Sequence, residues 1–111
     1  MDSIYKKINE ELNSLSDIER EEILNRLRNE IDLLDEQIVA LLSRRTFHSV
    51  LIGRVKKSLG ISTYSPEREK DVATRVKKNK IEPLTDVAIT RIYERILDES
   101  RAIQRAEAKK K

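Results

Sequence analysis

The stretch from residue 24 to residue 59 constrains the fold most. Leu24, Leu27, Ile31, Leu34, Ile38, Leu41, Arg45, His48, Ile52, Val55 and Leu59 follow one another at steps of three and four. A seam sustained over about five heptads specifies one long amphipathic helix rather than strands. No proline interrupts it. Arg45 and His48 stand where Leu or Ile is expected. A long helix with a cation in its seam is either a weakened coiled coil or the wall of a binding site for an anion.

The chain has 111 residues, enough for one domain. A helix of about 36 residues spans roughly 54 Å, too long for the rest of a small chain to wrap, so an oligomer is the natural way to bury it. Apolar residues make up 38% and charged residues 39% of the chain, material for long two-faced helices rather than a large core. With 2 glycines and 2 prolines, elements and turns are few. Cysteine is absent, which excludes disulfides and thiolate chemistry. No apolar run reaches the length of a membrane span and no signal-peptide core opens the chain, so it reads as cytoplasmic. The formal charge of +3 comes partly from Lys109, Lys110 and Lys111 and is a poor argument for nucleic-acid binding.

Residues 1–20 read as an accessory N-terminal extension, with Ile4, Ile8, Leu12 and Leu15 at helical spacing, either a short amphipathic helix packed on the rest or a segment frayed when alone. Ser16 and Glu19 match a capping box, which starts the long helix near residue 17, and the Leu59-Gly60 pair ends it. Residues 61–64 connect. Ser65 can cap and Pro66 suits the first helical position, which predicts a second helix over 66–78 with Val72 and Val76 inward. A turn over 79–84 with Pro83 precedes a third helix over 85–106, whose inward residues are Ile89, Ile92, Ile96 and Ile103, with Tyr93 and Leu97 beside them. Residues 107–111 form a basic tail.

On a helical wheel turning about 100° per residue, with Ile38 at zero, Arg45 falls about 20° away, Lys56 almost on zero, Gly53 about 60° and Arg28 about 80° away. Long cationic side chains often snorkel at the border of a buried face, and Arg28 alone fits that reading. Arg45 and Lys56 point at the centre of the stripe, where an unpaired charge is costly. They are eleven residues apart, roughly 16 Å along the axis, so both can reach one small molecule. Arg28 lies roughly 25 Å before Arg45 and cannot join that site within one straight helix. If two long helices pair antiparallel about a point near residue 40, Arg28 of one copy falls between Arg45 and Lys56 of the other. Symmetry then makes two equal sites.

Other polar residues carry both a structural and a functional reading. Gly53 is either a tolerated weak spot or a point of close approach. Ser100 and Gln104 share a face of the third helix, bonded to the backbone or aimed into a site. Glu69 complements a helix dipole or meets a ligand, and Arg68 has a surface alternative. His48, without metal-ligand companions, reads as a core or interface residue. Nothing decides whether Tyr64 packs at the turn or faces a ligand.

Taken in order, these residues resemble a known family. Leu27-Arg28-Asn29-Glu30-Ile31-Asp32, Leu34-Asp35 and the run from Gln37 to Arg45 look like the opening of the all-helical AroQ-class chorismate mutases. Ile52-Gly53, Lys56, Pro66-Glu67-Arg68-Glu69, then Ile96 through Ser100 and Gln104 continue the match over about residues 24–106. The resemblance implies an all-α fold with three helices per chain in an intertwined antiparallel homodimer, and a mutase-like domain over 21–106. It implies two sites, each with one arginine crossing from the partner. By the same resemblance Arg28 of the partner and Arg45 bind the two carboxylates of the substrate. Lys56 reaches a carboxylate and the ether oxygen, Gln104 the same oxygen, and Glu69 the ring hydroxyl. Ser100 and Arg68 match further pocket positions. Ser65 stands where well-known bacterial members carry an aspartate, so its contact to substrate is in doubt while its capping role is not.

The implied reaction, chorismate to prephenate, needs no nucleophile, metal or cofactor. It needs a flexible dianion held in its compact conformer and donors for the charge on the breaking ether bond. An isochorismate pyruvate lyase with the same style of cationic pocket and a non-catalytic helical interaction module are the alternatives. The resemblance also allows association with another enzyme of aromatic amino-acid synthesis.

Overall fold

The computed structural model describes residues 2–110. Among the described residues the regular structure is entirely helical, in four helices: α1 (Asp2–Asn13), α2 (Asp17–Ser58), α3 (Pro66–Asn79) and α4 (Asp86–Ala108). The expectation of three helices per chain, within an all-α intertwined antiparallel homodimer, is thereby corrected in its helix count to four among the described residues. The added element is the extension, which is a full helix in its own right. Its apolar residues at helical spacing supply the face, and Leu12 and Leu15 are half-buried. Met1 and Lys111, the ends of the expected extension and basic tail, lie outside the described residues.

The chain divides into two compact units, one up to Leu41 and one from Leu42. In the first, α1 closes through Ser14 N–H to Glu11 O at 3.2 Å and Leu15 N–H to Leu12 O at 3.1 Å. The capping box then forms in both directions. Glu19 N–H donates to Ser16 Oγ and Ser16 N–H to Glu19 Oε1, each at 3.2 Å. Along α2, Leu24, Leu27, Ile31, Leu34 and Ile38 stay 45–58% exposed. No hydrophobic side chain is buried among the described residues. No helix among them is long and apolar enough to cross a membrane.

In the second unit, Gly60 ends α2 at φ 69°, the left-handed conformation open to glycine. Ile61 N–H reaches Lys56 O at 2.9 Å and Gly60 N–H reaches Lys57 O at 3.1 Å, the Schellman pattern. Ser65 caps α3 with Pro66 in its first turn, and Thr85 caps α4 by accepting from Ala88 N–H at 3.1 Å. Helix α3 packs on α4. Val72 and Val76 from one and Ile89, Tyr93, Ile96, Leu97 and Ile103 from the other are half-buried. Ile92, expected inward, is 48% exposed. The turn between them is tied by Lys80 to Asp86 at 3.0 Å. Helix α4 runs two residues past the expected end at 106, and Lys110 of the expected tail pairs with Glu107 at 2.7 Å.

Candidate active site

Three helices of the second unit bring their polar exceptions to one place. Arg45, in the seam of α2, donates from Nη1 to Ser100 Oγ on α4 at 2.9 Å. Its guanidinium also lies 6.0 Å from the centre of the Tyr93 ring, within cation–π range. Ser100 is the one buried polar residue among those described, and its hydroxyl is satisfied by that arginine. The fork of Arg45 is thus oriented before any ligand arrives. One turn on, Gln104 donates from Nε2 to Ser49 O at 2.7 Å. Its Oε1 only accepts and its Nε2 only donates, so this bond turns the NH2 toward α2 with a second N–H still to give.

Lys56 sits at the last turn of α2 and donates from Nζ to Thr63 O at 3.3 Å. The contact is long and uses one of its three donors. Gly53, one turn before, faces Thr63 and Gln104. A Cβ there would meet Thr63 Cγ2 at 3.4 Å and Gln104 Cγ at 3.8 Å, ordinary contact. The close approach read from the glycine is therefore by side chains, not by backbone.

From α3, Glu69 enters the same region. Arg101 of α4 donates to both of its carboxylate oxygens and also to Asp98, and its guanidinium lies 5.5 Å from the centre of the Tyr64 ring. The hydrogen bond to Glu69 is the main reason that the Arg101 guanidinium is raised above its ordinary pKa. Arg68 behaves differently. Its guanidinium turns to Asp71 at 3.0 Å with the side chain 60% exposed. Ser65 Oγ accepts from Arg68 N–H at 3.3 Å, so its capping role occupies it as an acceptor.

These side chains line one cleft of about 280 Å³. Arg45, Lys56, Ser65, Arg68, Glu69, Ser100 and Gln104 all border it, as do His48, Thr63 and Arg101. Of the site residues named from the sequence, Arg28 alone is not brought there; it belongs to the first unit. His48 is not a core residue of this chain. It is exposed at the cleft, its Nδ1–H directed to Arg44 O at 2.8 Å and its ring edge-on to Phe47. Among the described residues no group of acids or histidine is placed to hold a metal ion. The cations Arg45, Lys56, Arg68 and Arg101, with hydroxyl and amide donors and the Glu69 carboxylate around one small cleft, suit a compact anionic molecule bearing a hydroxyl.

The sequence model described as "Chorismate mutase type II" matches residues 27–105 of this chain, which contain every residue of that cleft.

The chain belongs to the type II chorismate mutase family.

Within this isomerase family, the chain is 34% identical over 85 residues to a "Bifunctional chorismate mutase/prephenate dehydratase" of Neisseria gonorrhoeae, covering 77% of this chain and 23% of that protein. It is 31% identical over 85 residues to a "Chorismate mutase" of Methanocaldococcus jannaschii, covering 76% and 86%. The crystal structure of a Helicobacter pylori chorismate mutase in complex with prephenate superposes with a TM-score of 0.74 at 28% identity, covering 81% of this chain and 98% of that one. The chain thus spans under a quarter of the bifunctional relative and most of the Methanocaldococcus jannaschii protein.

Sequence reasoning missed Arg101, which directly follows Ser100 and lies on no seam. Its one local signal was Asp98, three residues earlier on the same helix. The partner that matters, Glu69, is 32 residues away and on another helix. Beside the cleft lies a wider one of about 580 Å³, which shares Thr63, Arg101 and Gln104 with it.

Proposed function

We propose that this cleft binds chorismate and converts it to prephenate by an intramolecular [3,3] rearrangement. The observation that carries the reading is that Arg45, Lys56, Glu69 and Gln104, drawn from three helices, border a single small cleft inside the family match. The Helicobacter pylori structure that superposes on the chain is a complex with prephenate. In the reaction the ether C–O bond breaks as a C–C bond forms between the two ends of the pericyclic array, so no proton or electron leaves the molecule. Arg45, held by Ser100, takes one carboxylate. Lys56 meets a carboxylate and the ether oxygen, and the second N–H of Gln104 meets that same oxygen. Glu69 accepts from the ring hydroxyl, and Arg68 and Ser65 border the pocket as substrate-binding positions of lesser weight.

The reading includes a second copy of the chain, whose Arg28 completes each site. The exposed apolar seam of α2 from Leu24 to Ile38 supports it, since such a stripe in water is unfavourable. It also divides the chain into an accessory extension over 1–20, the catalytic domain over 21–106 and a tail over 107–111, working in the cytoplasm. The bifunctional relative, which joins a mutase to a prephenate dehydratase, supports association with an enzyme that consumes the product.

The test is direct. Purified protein is given chorismate and, separately, isochorismate. Prephenate from the first supports the reading; salicylate and pyruvate from the second point to the lyase, and no turnover of either leaves the interaction module.

A further inference from the structure

We propose that Arg101 is a positioning residue that holds the Glu69 carboxylate in place for the ring hydroxyl of the substrate; this rests on the role given to Glu69 above. A glutamate at a cleft edge has several rotatable bonds and needs a fixed donor to stay in one pose. Three groups near Glu69 are candidates. Ser65 Oγ is turned to Arg68 N–H as a cap acceptor. The Arg68 guanidinium is turned to Asp71, which it shares with Arg75 at 3.4 Å. Arg101 remains, and its Nη1 donates to both carboxylate oxygens.

The pair is asymmetric. Arg101 is anchored twice more, by Asp98 and by the face of Tyr64. It keeps its pose when Glu69 is removed, whereas the Glu69 carboxylate has no other donor among the described residues. Both side chains are mostly withdrawn from water, 29% and 25% exposed, where a charge-assisted pair is screened less than at the open surface. A carboxylate has about four lone-pair sites, so Glu69 can accept from Arg101 and from a hydroxyl together. A lysine cannot reproduce this, because one ammonium does not span Glu69 and Asp98 while lying flat on a ring.

The experiment measures kcat and KM for chorismate with the full chain carrying Glu69→Ala, Arg101→Ala, Arg101→Lys, or the Glu69→Ala/Arg101→Ala pair. Arg101→Ala should lower kcat on the order of 10- to 100-fold, the scale of a misplaced group, with KM within about twofold. The double variant should be no slower than Glu69→Ala alone, because the arginine acts only through the carboxylate. Arg101→Lys should fall between Arg101→Ala and the unmodified chain. A slow Glu69→Ala protein beside a fully active Arg101→Ala protein overturns the proposal and leaves the role of Glu69 standing. A fully active Glu69→Ala protein overturns that role, and this proposal with it. Losses that multiply in the double variant mean that Arg101 acts on its own and also overturn it. Should Arg101→Ala fail to fold, Arg101→Lys carries the test: a loss of kcat at unchanged helix content, absent in the Glu69→Ala background, supports the proposal, and full kcat overturns it.

Discussion

Ser100 Oγ accepts a hydrogen bond from Arg45 Nη1 at 2.9 Å, and so the one buried polar residue among those described serves the cation of the α2 seam. Ser100→Ala removes the acceptor and leaves the arginine without its anchor. Stability should fall by about 1.5 kcal/mol, the scale of a hydrogen bond to a charged group. KM for chorismate should rise several-fold. Arg45→Leu separates the two readings of the seam: the active-site reading expects turnover to vanish with helix content kept, whereas an interaction module expects turnover to be irrelevant and stability equal or higher. Circular dichroism, thermal melting and the mutase assay check all three.

Gln104 donates to Ser49 O, which fixes its amide toward α2. An amide does not titrate across the useful range. The pH profile of turnover should therefore be broad through neutrality, and Gln104→Ala should cost on the order of 100-fold in kcat if the amide stabilises the ether oxygen. A sharp loss above pH 6 that follows one titrating group counts against the assignment.

Gly53→Ala places a methyl at ordinary contact distance from Thr63 and Gln104. Alanine exceeds glycine in a helix interior by about 1 kcal/mol, so the variant should melt at or above the temperature of the unmodified chain. A clear drop in melting temperature would mean that the site is tighter than these distances allow.

Glu19 is held below the usual carboxylate range by the hydrogen bond from Ser16 N–H, then by Ser16 Oγ. A depressed carboxylate contributes stability that is present above its unfolded pKa and is lost as pH falls through the folded one. The start of α2 should therefore fray progressively as pH drops below about 5, read as amide exchange of residues 17–20. In Ser16→Ala that acid-dependent step should be reduced, with exchange faster already at neutral pH.

Sharing of Arg28 between two copies predicts complementation. Arg28→Ala and Arg45→Ala proteins should each be inactive, and after subunit exchange a mixed pair has one site with both arginines and one with neither. Random mixing makes half the pairs mixed, so activity should return to about a quarter of the unmodified level. No recovery after demonstrated exchange excludes shared sites.

The helices and their ends were legible in the sequence because their causes are local. The Ser16–Glu19 box, the Ser65 cap and the glycine stop at Gly60 each act within a few residues, and each forms in the structure. The same holds for the cations of α2, since a fixed turn per residue places Arg45 and Lys56 on one stripe. The count of helices went astray at residues 2–13, where a short amphipathic pattern reads equally well as a frayed extension.

What the tertiary structure alone decided is which polar groups satisfy one another. Arg45 with Ser100 and Gln104 with Ser49 join residues 55 apart in the chain, and Arg101 with Glu69 joins residues 32 apart. No periodicity carries that information. A guanidinium partly withdrawn from water must find an acceptor; Asp98 is a local one on the same helix, and only the packing of α3 on α4 adds Glu69. The sequence determined that cations face inward from a long helix; the assembled second unit determined which neighbours hold them.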